Sequence, residues 1–351
     1  MGGYEQLASS LLSRSSSALA GHAANQLLEW KPEIAGRFAP NAFSSWQSLL
    51  AMRCQELAVA IEFSSPQLFA SAVDWARASF KARDVSEKDL HAGLTCLRDV
   101  LSEELPQPAA DTVTPCFEMA LDGFDRSIAE YQSLDPKNPH ERMALSYLEK
   151  CLKGNPQLAI QEVLKAVDAG FDVQDAYVEV MAKAQHEVGS LWHAAKVGVH
   201  EEHLVTSTTL SLLTLLAYRT PPKQQIDKTV IGAAIGDDAH EVGVRMIMDI
   251  FTMSGWRSIC LGARLPNLDL SRAVRDFEAD LLVLSATLLT HLIPVREAIR
   301  EARRESPGLR VLVGGLAVGA APDLWQHLGA DGYAANARTA VSEGARLVGL
   351  D

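Results

Sequence analysis

The 351-residue chain has no apolar run near the roughly 20 residues that a membrane-spanning helix requires. Its first residues, Met1 to Ser17, are polar and serine-rich and lack the apolar core of a secretion signal. Cysteine is sparse and scattered: Cys54, Cys96, Cys116, Cys151 and Cys260 are odd in number and form no zinc-type CxxC pair, which excludes a disulfide scaffold. Positive charge is also short. With 32 Lys and Arg against 44 Asp and Glu, the net charge is −12. Phosphate binding needs clustered cations, so a general nucleic-acid coat is excluded. No nucleophile elbow, phosphate loop or HExxH helix is present. The chain therefore reads as a reduced, cytoplasmic protein, without a membrane role and without a self-sufficient catalytic set.

About 48% of residues are apolar and 22% charged, enough for sizeable cores. At roughly 150 residues per domain, two or three domains are expected, and the periodicities give three. Residues 1–134 carry helical spacing throughout, in runs such as Trp46 to Leu57, Leu68 to Phe80 and Leu90 to Leu101. Pro66 suits a helix start, Asp84, Ser86 and Asp89 supply cap-type residues, and Pro106 and Pro108 close the piece. Trp46, Phe69, Trp75 and Phe80 are expected in its core. After the turn-rich Asp135–Pro139, residues 140–220 read as four helices broken at Gly154-Asn155-Pro156 and Gly170-Phe171-Asp172, a small bundle.

From residue 228 to 351 the pattern changes to apolar strands alternating with helices. Strands are expected at 229–234, 281–285 and 311–315, and helices at 243–253, 288–306 and 321–328. Such alternation indicates a parallel sheet covered on both faces, a doubly wound, flavodoxin-like (Rossmann-type) fold of five units. The overall class is thus α plus α/β. In these sheets a ligand sits beyond the C-terminal ends of the strands.

The loops at those ends carry the chemistry. After the first strand comes Gly236-Asp237-Asp238-Ala239-His240-Glu241-Val242-Gly243. Asp238 can accept from one ring nitrogen of His240 while the other nitrogen binds a metal, and Gly243 lets a large planar ligand approach. Residues 244 to 284, 41 in number, separate Gly243 from Ser285, and 288 to 313, another 26, separate Thr287 from Gly314-Gly315. This pattern resembles the cobalamin-binding signature DxHxxG, SxL, GG, with Thr287 where the family usually has Leu. The resemblance implies that His240 replaces the cofactor's own base as lower cobalt ligand, oriented by Asp238. It further implies that the detached nucleotide tail runs beside Ser285 and Thr287 and past Gly314 and Gly315.

Upstream, nine residues separate Trp192 from Glu202-His203. This looks like the W-x9-E-H motif of the light-sensing cobalamin proteins typified by CarH-type repressors. The resemblance implies that the bundle caps the upper corrin face, with Trp192 over a 5′-deoxyadenosyl group and Glu202 and His203 lining its pocket. His193 matches the residue that takes the vacated upper site on cobalt after photolysis. The expectation is an adenosylcobalamin-dependent photoreceptor, forming a homo-oligomer and signalling to a protein partner whose identity the sequence does not give.

The resemblance covers about residues 140–351. Residues 1–130 contain no short recognition helix rich in Arg, Lys, Asn or Gln, so direct DNA binding is not expected and a partner-binding or dimerising domain is. Some cobalamin photoreceptors of similar architecture, the photocobilins, also hold a bilin such as biliverdin, for which His186, His200 and His291 are spare contacts, although no attachment motif is visible. Two alternatives remain open. One is a corrinoid methyl carrier of a methyltransferase system. The other is a mutase subunit, which would need a substrate barrel of about 250 residues on another chain.

Overall fold

A computed structural model describes residues 3–127, 133–237 and 239–350, in two compact units, Met1–Glu130 and Tyr131–Asp351. The first is all helical: α1 (Gly3–Trp30), α2 (Pro32–Arg37), α3 (Ala42–Glu62), α4 (Pro66–Ala82), α5 (Glu87–Glu104) and α6 (Gln107–Asp122). Local chemistry sets the boundaries. Pro66 opens α4 at a position where its missing N–H costs nothing, and Ser86 caps α5 by accepting from the Lys88 N–H at 3.3 Å. Pro106 and Pro108 follow the end of α5 and also begin α6, because a proline that stops one helix suits the first turn of the next. Trp46 is fully buried against Phe38 and Phe80, and Gly93 makes room for its ring. Phe69 meets Phe117 edge to face with centroids 5.2 Å apart. Trp75, expected in this core, is instead exposed. On α4 the buried stripe runs through Val73, Ala76, Arg77 and Phe80, and Trp75 lies off it.

The second unit begins with a bundle: α7 (Pro139–Leu152), α8 (Pro156–Asp168), α9 (Val173–Asp175) continued through a π-helical turn (Ala176–Met181) into α10 (Ala182–His193), and α11 (Val199–Arg219). Asn138 caps α7 by accepting from the His140 N–H. The sheet follows as β1 (Thr229–Ala234), α12 (Val242–Met253), β2 (Arg257–Cys260), α13 (Asn267–Asp276), β3 (Leu281–Ser285), α14 (Leu292–Glu305), β4 (Arg310–Gly314), α15 (Leu324–Leu328), β5 (Gly332–Ala334) and α16 (Ala337–Leu347). All strands are parallel, in the order β2-β1-β3-β4-β5. β1 and β3 are buried throughout, as continuous apolar runs covered on both faces should be. The helix expected from Leu288 starts at Leu292 after one tight turn, and that expected from Ala321 starts at Leu324.

Bundle and sheet share a core. Met246, Ile250 and Met253 of α12 and Ala337 of α16 are buried in one cluster with Tyr147, Tyr177, Val180, Leu212 and Leu216 of the bundle. Two polar contacts accompany it: the buried Tyr177 hydroxyl donates to Asp249 on α12 at 3.2 Å, and Arg338 on α16 pairs with Asp175. The five cysteines are free thiols, and among the described residues no helix is long and apolar enough to cross a membrane.

Candidate functional site

The strand order reverses direction between β1 and β3, so the connections leaving these two strands diverge and open a crevice at their C-terminal ends. Register brings the predicted residues to that edge. Ala234 at the end of β1 pairs with Ser285 at the end of β3, which pairs in turn with Gly314 at the end of β4. The Ile235 N–H donates to the Ser285 carbonyl at 2.9 Å and the Ala286 N–H to the Gly314 carbonyl at 3.0 Å, which ties the three strand ends together. Ser285 is buried, Thr287 half-buried, and His240 exposed in the loop before α12. Asp238, the predicted partner of His240, lies outside the described residues.

The glycines divide by what surrounds them. Gly315 has φ +94°, and a Cβ there would lie 2.3 Å from the Ala286 carbonyl oxygen. A Cβ on Gly314 would approach the Ala334 oxygen to 2.8 Å. The chain's own backbone therefore accounts for both. Gly243 differs: nothing lies within 4 Å of a Cβ built there, and it sits exposed at the start of α12. An uncrowded glycine beside an exposed imidazole leaves room for a large flat molecule to lie close to the backbone.

The histidine loop has a support that the sequence did not disclose. Gly236 has φ +126°, and its missing Cβ would fall 2.5 Å from the buried His291 ring. His291 is thus wedged beneath the loop that presents His240, which distinguishes it from the exposed His186 and His200. No sequence pattern marks it, because its contact is made across two crossovers. Exposed apolar side chains flank the same sheet edge: Leu288 after β3 and Leu316, 63% exposed, after β4.

In the bundle, α10 ends at Trp192-His193 and α11 begins at Val199. The connection is tightly folded. The Ala195 N–H donates to the Trp192 carbonyl, the Lys196 N–H to Leu191, and Glu201 reaches back to accept from the Gly198 N–H at 2.7 Å. This connection joins Trp192, 38% exposed, to Glu202 and His203 near the start of α11. Glu202 Oε2 lies 2.8 Å from His203 Nδ1, while Glu202 Oε1 accepts from the Thr206 hydroxyl at 2.7 Å. His193 is half-buried. The predicted residues therefore form two groups on different elements, one at the strand ends and one at the turn between α10 and α11.

Among the described residues no three His, Cys, Asp or Glu side chains converge to hold a bare metal ion. A metal carried in a macrocycle asks for less, since the ring supplies the equatorial ligands and the protein needs one axial donor. An exposed imidazole with an open glycine beside it fits that demand.

Residues 228–342 match the B12 binding domain family, and residues 145–217 match a second family of the same description. The HTH-type transcriptional repressor CarH of Myxococcus xanthus is 26% identical over 56% of this chain and 66% of its own length, just under two thirds. A corrinoid protein of Desulfitobacterium hafniense is 25% identical over 56% of this chain and 94% of its own. The monomethylamine corrinoid protein of Methanosarcina barkeri shares the fold, with a TM-score of 0.51 at 18% identity, over 60% of this chain and 98% of that one. The paired B12-binding matches and these relatives support a cobalamin cofactor.

Proposed function

We propose that the protein is an adenosylcobalamin-dependent photoreceptor in which His240 holds cobalt from below and the α10–α11 turn covers it from above. When bound, adenosylcobalamin supplies a weak cobalt–carbon bond that visible light cleaves. The chain's residues do the rest. Asp238 orients the His240 imidazole and Gly243 admits the corrin. Ser285 and Thr287 flank the nucleotide tail where it passes Gly314 and Gly315.

Above the ring, Trp192 covers the adenosyl group, and the Glu202–His203 pair lines its pocket. Were that group lost, the Trp192 indole would be without a partner. A void of this kind costs a few kcal/mol, comparable with what shifts a two-state equilibrium. His193, beside Trp192, would be the side chain placed to hold cobalt once the upper group is gone, and so to fix the bundle in a displaced position. The Tyr177–Asp249 and Arg338–Asp175 contacts, which join bundle to sheet, are where such a shift is felt. The output is a change of oligomeric state or of contact with a partner protein, with residues 1–134 as the partner domain. A bilin as second chromophore belongs to this reading as an extension.

The observation that carries it is a partly exposed Trp192 at the end of α10 with a paired Glu202 and His203 near the start of the next helix, α11. The second reading is a corrinoid carrier that shuttles methyl groups between methyltransferases, favoured by the corrinoid proteins matched over nearly their whole length. One experiment separates the two. The protein is loaded in darkness with adenosylcobalamin or methylcobalamin and its spectrum and hydrodynamic size recorded before and after green light. A sensor prefers the adenosyl form and gives a stable photoproduct of altered size. A carrier shows neither, and turns over methyl groups with a methyltransferase.

A further inference from the structure

We infer that Thr206 and Gln185 are positioning residues which hold the Glu202 carboxylate from inside the bundle and so set the preference for the group above cobalt. The inference rests on the reading just given and deepens it. The hydroxyls along α11 follow a common habit: Thr208, Thr209, Ser211 and Thr214 each donate to the backbone carbonyl one turn back, at 2.7 to 3.0 Å. Thr206 does otherwise. Its hydroxyl lies 2.7 Å from Glu202 Oε1 and 3.1 Å from Gln185 Oε1, so a single proton stands between two side-chain acceptors.

Gln185, on α10, is itself anchored. Its Nε2 donates to Thr209 Oγ1 at 2.8 Å. The Thr209 proton is committed to the Val205 carbonyl, and its oxygen also meets the Tyr147 hydroxyl of α7 at 2.9 Å. Thr209 and Tyr147 are both fully buried. A polar chain thus runs from the core across three helices and ends at the half-buried Glu202 carboxylate, whose other oxygen meets His203. Glu201, the neighbour of Glu202, turns back to cap the helix, whereas Glu202 is drawn along it toward Thr206.

Held in one rotamer, a carboxylate can accept from an upper group bearing hydroxyls, as an adenosyl ribose does, and offers nothing to a methyl group. The expected contribution is a single hydrogen bond to a charged acceptor, about tenfold in affinity or somewhat more. The test measures dissociation constants of adenosylcobalamin and methylcobalamin by absorbance titration in darkness. The proteins are the full wild-type chain and its Thr206→Val, Thr206→Ser and Gln185→Leu variants.

The inference expects Thr206→Val and Gln185→Leu each to lose about tenfold of the adenosyl preference while methylcobalamin binding stays at the wild-type level, with Thr206→Ser retaining the preference. An unchanged preference in both variants overturns it. So does an equal loss for both cofactors, or a Thr206→Ser variant that behaves as Thr206→Val. Should Thr206→Val fail to fold, Gln185→Leu and Thr206→Ser still decide. A wild-type chain with no preference overturns instead the photoreceptor reading, and the inference with it.

Discussion

Gly315, after β4, and Gly243, in the first turn of α12, both fall in the cobalamin signature, yet only Gly315 has a neighbour that requires it. Gly315 is needed by the fold, since its φ of +94° and the Ala286 carbonyl leave no place for a Cβ. Gly315→Ala is expected to cost about 1–3 kcal/mol, read as a lower melting temperature of the chain without cofactor. Gly243→Ala meets nothing within 4 Å and should keep or slightly raise stability, because Ala is the better helix former, while weakening corrin uptake. A loss of stability without a loss of uptake at Gly243 would remove its proposed role. Sequence spacing found both glycines but not the Ala286 carbonyl that requires Gly315. His291 was noticed only as a spare histidine, not for its place against Gly236, and Gln185 not at all, because each makes its contact between distant elements and carries no local signature.

Among the elements, the π-helical turn Ala176–Met181 carries the tether between bundle and sheet. The Tyr177 hydroxyl in this turn lies 3.2 Å from both the Leu213 carbonyl and Asp249, which share its one proton, and Arg245 stands one turn before Asp249 at 3.4 Å. Burial pushes the Asp249 carboxyl above the usual carboxylate range, against the pull of Arg245 and the Tyr177 hydroxyl. A carboxyl raised in the folded state contributes stability that is present at acid pH and lost as the pH rises through the raised value. Asp249→Asn should therefore gain stability relative to wild type at neutral pH, with the gain shrinking toward acid. Denaturant midpoints measured across that range check the sign, and a difference that grows toward acid would contradict it. Nothing in the residues of this turn announces the extra residue per turn. The long buried strands and the capped helices were legible from their apolar runs, prolines and Asn or Ser caps. β2 and β5 were not, because short strands at the sheet's edges need few apolar residues.

At the scale of the whole molecule, the parallel sheet and the four helices before it were readable from periodicity, and the His240 loop lies at the C-terminal end of β1, beside the point where the strand order reverses. The first unit is a well-packed helical body whose sequence carries no chemical motif, so its role was not legible. The central claim is that one imidazole, His240, would hold the cobalt of a cobalamin bound at the strand ends. The most direct measurement adds adenosylcobalamin to the purified full chain in darkness and removes unbound cofactor by gel filtration. The absorption spectrum is then recorded for wild type and for His240→Ala. The account predicts a coloured wild-type protein whose spectrum shows the cofactor's own base displaced. It also predicts a His240→Ala protein that folds normally and loses well over tenfold in affinity. A colourless wild type, or a variant that takes up cobalamin with the same spectrum and affinity, would contradict it.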